Sequence, residues 1–191
     1  MGAVNEEDNI LAPDEERLLA ALGYLVMRWN YAEHFARQIL RKYLTGESIY
    51  DPDHLKLTKQ PAVRVECDLK RLALPHWQSP GREFLEHLIA AYASGRSHRN
   101  AIVHGIYSTM PARGEWPASA ILISWKPEGE HSPPFLDLGT MQRTAHHFHD
   151  LAMFAREVSL TFNQDGSIAL NKDGSPILVD LPTLVSPLAV I

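Results

Sequence analysis

Leu18, Leu22, Leu25, Trp29, Ala32, Ala36, Ile39 and Tyr43 recur at alternating steps of four and three residues. That spacing holds them on one face of an α-helix and scatters them over both faces of a strand. A seam of this length must be buried against further helices, so a mainly α fold is expected. The helix should start at Pro13, where Asp14, Glu15 and Glu16 set negative charge against the positive end of the helix dipole. Arg41 and Lys42, followed by Gly46, mark its expected stop.

Three more helices are legible. One is expected between Asp53 and Leu74, broken near Pro61, with Val63, Cys67, Leu69, Leu72 and Ala73 as apolar contacts. The next should be capped by Ser79 with Pro80 in its first turn, and its seam reads Phe84, Leu88, Tyr92, Gly95, Arg99, Ile102 and Ile106. The last should open at Thr140 and run through Leu151, Phe154, Ala155, Val158 and Phe162. Between them, Pro111, Pro117, Pro127, Pro133 and Pro134 forbid a long helix. The run from Ala120 to Trp125 is β-rich, so a small β insertion is expected over about residues 111–139. After the last helix NQDGS and NKDGS repeat eight residues apart, each an expected hairpin turn. The spaced acidic ligands of a calcium loop are missing from both. An apolar tail, LPTLVSPLAVI, follows.

With 191 residues the chain is sized for a single domain. Lys and Arg total 18 against 23 Asp and Glu, a formal net charge of −5, which excludes a generally basic nucleic-acid coat but not a local basic patch. A single cysteine, Cys67, excludes an intrachain disulfide and a cysteine-rich zinc site, and is read as a core residue. The acidic start MGAVNEEDN is unlike a secretory signal, and no apolar run approaches the roughly 18 residues of a membrane span, so a cytoplasmic protein with no membrane partner is expected. Phosphate loops, G-x-S-x-G elbows, H-E-x-x-H pairs and dinucleotide fingerprints are all missing from the sequence.

The strongest local signal is SHRNAIVHGIY. On a helix Asn100 and His104 share a face, while Arg99 lies about 140° from His104 and falls on the apolar seam. A guanidinium there needs a carboxylate, because an unpaired interior charge is costly. Glu33 flanks the seam of the first helix between Trp29 and Ala36 and is equally misplaced alone, so a Glu33–Arg99 pair is expected.

The R-N-x-x-x-H pattern of Arg99, Asn100 and His104 near a helix end resembles the R-x(4–6)-H signature of HEPN domains. The resemblance covers roughly residues 14–160, with the long first helix carrying Trp29 and Glu33. It implies a single domain over 1–191: a four-helix up-down bundle with the β insertion and a β-rich carboxyl-terminal hairpin and tail over about 163–191. It further implies a homodimer whose two motifs face a shared cleft, where active members cut RNA without metal or cofactor. The catalytic set carried over is Arg99, Asn100 and His104 with Glu33 in support, in a toxin–antitoxin or phage-defence role with an antitoxin or other protein partner. The tyrosine after the motif, Tyr107, stands three residues beyond His104, where antitoxin-paired toxins carry it two beyond. The alternative is an inactive HEPN-like dimer acting as an interaction module for a protein or nucleotide.

Two weaker patterns complete the reading. HHFHD places His146, His149 and Asp150 at ligand spacing on the last helix, but with no ligand from another element it is read as a solvated polar face, and no metal is expected. Arg37, Arg41, Lys42, Arg64, Lys70 and Arg71 offer a phosphate-binding stripe.

Overall fold

The computed structural model of the chain describes residues 13–43, 52–104, 106–110, 119–123 and 135–176. These are mainly helical. Helix α1 spans Pro13–Arg41, and of its expected seam Leu18, Leu25, Trp29, Ala32, Ala36 and Ile39 are buried, joined by Leu40. Gly46 and the tail LPTLVSPLAVI lie outside the described residues.

Helices α2 (Pro52–Lys59) and α3 (Ala62–Asp68) are separated at Gln60 and Pro61, the expected break. α3 runs on through a π turn at Leu69–Ala73 and a 3-10 turn at Leu74–His76. The buried face here is Val65, Leu69, Ala73 and Trp77. Val63 and Cys67 point to solvent instead. The four-residue step from Val65 selects the opposite face from the one the sequence expectation began on.

Helix α4 spans Gly81–His104, starting after Pro80 rather than including it. Leu85, Leu88, Ile89, Ala91, Tyr92 and Ile102 are buried, and Arg99 is half-buried on the same seam. Gly95 is there for space: a Cβ would sit 2.9 Å from the Trp29 ring and 3.3 Å from Leu151 and Phe148. Three short strands follow, β1 (Ile106–Met110), β2 (Ser119–Ile123) and β3 (Phe135–Asp137). They form an antiparallel sheet in that order, with Ile106 opposite Ile123 and Ser119 opposite Asp137. Helix α5, Leu138–Thr161, lies mainly along α1.

Trp29 joins the three long helices, its ring centroid 4.9 Å from Tyr92 of α4 and 5.3 Å from Phe148 of α5. A second aromatic cluster closes the far end, where Phe162 meets Trp77 and Phe84. There Lys42 Nζ donates to the Ser159 carbonyl at 2.7 Å and to that of Phe162, capping α5. Tyr43 accepts from Trp77 Nε1 and donates to the Gln164 carbonyl, each at 2.5 Å.

The two echoed turns are internally alike. In each the Asp carboxylate accepts from the Ser backbone at 2.9 Å and from its hydroxyl at 2.6 Å. Gly166 and Gly174 sit at φ +81° and +82°, the left-handed region that requires glycine. The first turn is docked, with Gln78 N donating to the Asp165 carbonyl at 2.9 Å, and the second is exposed. Among the described residues no helix is long and apolar enough to cross a membrane.

Candidate functional site

A groove of about 500 Å3 lies where α1, the α2–α3 break and the end of α4 meet. Helix α4 contributes Arg96, Arg99 and Asn100, the break contributes Gln60 to Val63, and Trp29, Glu33 and Arg37 of α1 complete it. Three of the four expected site residues, Glu33, Arg99 and Asn100, therefore share one surface. His104, the last residue of α4, stands one turn beyond Asn100 and about 40° from it around the helix.

Glu33 is well enclosed, and its carboxylate takes Arg37 Nη2 at 3.1 Å and the Tyr92 hydroxyl at 3.4 Å. Burial, and then the Glu33 charge, push that hydroxyl far above its ordinary range. Among the described residues the guanidinium on Glu33 is that of Arg37, which corrects the expected Glu33–Arg99 pair. The seam argument rightly found a carboxylate needing a cation, but the partner one turn along α1 is nearer than one on another helix. Arg37 also donates from Nε to the Leu57 carbonyl at 3.0 Å and from Nη2 to the Gln60 carbonyl at 2.7 Å. It thus ties α1 to the end of α2 and fixes one rim of the groove.

Arg96 reaches the other way, its Nε and Nη2 both 3.1 Å from Glu66 Oε2. Burial alone would raise the Glu66 carboxyl, but Lys70 and Arg96 outweigh it and hold it below its ordinary value. Arg99 Nη1 donates to Asn100 Oδ1 at 3.2 Å, so the motif's first two members orient each other. Arg96 and Gln60 were missed in the sequence. The one-turn step from Arg96 to Arg99 was a usable signal, whereas only the fold brings Gln60 beside them.

The proposed basic stripe is taken up within the chain. Arg64 and Arg71 pair with Asp68, Lys70 with Glu66, Arg41 with Gln38, and Lys42 caps α5. In HHFHD, His146 and Asp150 are exposed, while His147 Nε2 and His149 Nδ1 are buried without a hydrogen-bond partner. Burial, aided by His98, holds His147 below its ordinary value against the opposing pull of Asp150. Among the described residues no cluster of three or more His, Cys, Asp or Glu has metal-binding geometry. A larger groove, of about 570 Å3 between α1 and α5, is lined in part by His146 but by none of Glu33, Arg99 and Asn100.

No protein-family model, curated protein or solved structure matches the chain.

Proposed function

We propose that the protein is a metal-independent endoribonuclease of the HEPN type. In this reading the helices form a four-helix up-down bundle with a β-rich tail, two copies pair in the cytoplasm, and the activity serves defence or a toxin–antitoxin system. The observation that carries it is the convergence of Arg99 and Asn100 with Glu33 on one groove, with His104 one helical turn beyond Asn100 along α4.

The chemistry divides among the chain's own groups. His104 takes the proton of a ribose 2′-OH as O2′ attacks phosphorus, and the partner's His104 protonates the departing 5′-oxygen, leaving a cyclic phosphate. Arg99 sets its planar fork against the charge that builds on the phosphorane. Asn100 holds Arg99 through the 3.2 Å bond. Glu33 acts at one remove by ordering Arg37 and, through it, the rim.

The test is cleavage of a mixed RNA panel in EDTA by the wild-type chain, with His104→Ala purified in parallel. Cleavage by the wild type alone, with the variant's oligomeric state unchanged, supports the reading. Absence of cleavage from a folded dimer overturns it in favour of a non-catalytic interaction module.

A further inference from the structure

We propose, building on the ribonuclease reading of the groove, that Gln60 selects the base of the bound RNA, its Oε1 accepting the exocyclic amine of an adenine or cytosine.

Gln60 stands at the break between α2 and α3, where its backbone is held on both sides. Its N–H donates to the Leu57 carbonyl at 3.3 Å, and its carbonyl accepts from Arg37 Nη2 at 2.7 Å. Arg37 is in turn anchored by Glu33. The side chain is the part left unspent: Gln60 Oε1 is buried and has no hydrogen-bond partner. A buried acceptor in that state costs stability, and a site that keeps one calls for an explanation. Here the atom belongs to a residue lining the same groove as Arg99 and Asn100.

The surroundings suit a nucleotide. At about 500 Å3 the groove falls in the usual range of ligand sites. Pro61 and the half-exposed Val63 offer apolar surface to a base, and guanidinium planes such as those of Arg96 and Arg99 are favourable stacking partners for RNA bases. A phosphate on Arg99 and a base edge on Gln60 divide the ligand between its charged and its aromatic parts.

Amide chemistry sets the preference. An amide oxygen accepts an N–H while the adjacent nitrogen donates to a ring nitrogen, the two-point contact by which glutamine reads adenine. Cytosine presents the same neighbouring amine and ring nitrogen. With Oε1 kept in the buried orientation it has in the structure, the carbonyl that uracil carries in place of the amine would set one acceptor against another.

The experiment compares single-turnover cleavage of oligonucleotides identical except for A, C, U or purine riboside at the scissile position, by wild type and Gln60→Leu. Wild type should cut the A and C substrates about tenfold faster than U. Replacing adenosine by purine riboside, which lacks the amine, should remove that advantage without touching the protein. Gln60→Leu should cut A, C and U alike. Equal rates on all four substrates by wild type, or an unchanged preference in Gln60→Leu, would overturn the role of Gln60 and leave the ribonuclease reading intact. No cleavage of any substrate would overturn both.

Discussion

Glu33 distinguishes two ways of holding the helices together, and a double-mutant cycle measures which one operates. In the structure Glu33 and Arg37 face each other at 3.1 Å with side chains only 14% and 16% exposed. Arg37 additionally serves two carbonyls, those of Leu57 and Gln60. Removing one partner of a fully buried pair costs about 3–5 kcal/mol. Partial exposure lowers that figure, and the two lost carbonyl bonds add to it, so Arg37→Ala should cost about 3 kcal/mol. Glu33→Gln keeps an acceptor for Arg37 and should cost about 1 kcal/mol. The decisive quantity is coupling: Glu33→Ala with Arg37→Ala should fall short of additivity by about 1–3 kcal/mol, while Glu33→Ala with Arg99→Ala should be additive to about 0.5 kcal/mol. Urea unfolding followed by far-ultraviolet circular dichroism, with the m-value checked for constancy, gives all the terms. A larger coupling of Glu33 to Arg99 than to Arg37 would refute the pairing described here and restore the cross-helix pair expected from the seams.

Two further outcomes follow from local geometry. His147 is held below the ordinary histidine value of 6.5, so the unfolded chain binds its proton more readily. Its contribution should therefore be lost as the pH falls below about 6.5 towards the folded-state value, and His147→Gln should flatten the urea midpoint against pH over that range. Gly166 and Gly174 share a left-handed backbone, but a Cβ on Gly166 would lie 2.7 Å from the Gln78 carbonyl oxygen, whereas one on Gly174 meets nothing within 4 Å. Gly174→Ala should cost about 1–2 kcal/mol and Gly166→Ala distinctly more, and equal melting temperatures would argue that the first turn is not docked.

The helical part of the fold was legible because burial writes itself into a periodic pattern. Leu18 to Ile39 repeat at helical spacing over about six turns of α1, and no other element can hide them. The short α3 was misjudged for the same reason in reverse. Seven residues followed by a π turn carry too few repeats to fix a face, and Val63 and Cys67 were chosen over Val65. At the site, Arg99 and Asn100 announced themselves as polar residues on or beside an apolar seam. Gln60 gave no such signal, because an amide beside a proline is ordinary until α1 and α4 close over it. The two N-x-D-G-S turns show the same division: sequence determined their internal bonding alike, and only tertiary contact separates the docked turn from the exposed one.

On the proposed ribonuclease reading, a chain of net charge −5 has to receive a polyanion, and the charges lining the groove set the terms. Arg37 and Arg96 are each met by a carboxylate, Glu33 and Glu66, so a phosphate would have to compete with groups already in place. Arg99 donates from Nη1 to the neutral amide of Asn100, and a phosphate arriving beside that guanidinium adds charge-assisted bonds. Affinity drawn from so few cations should be modest and weakly dependent on salt, since each phosphate neutralised contributes about one to the slope of log K against log salt concentration. A slope near one or two per protomer fits a groove that grips the scissile phosphate and reads a base. A much steeper slope would place the binding surface elsewhere on the protein.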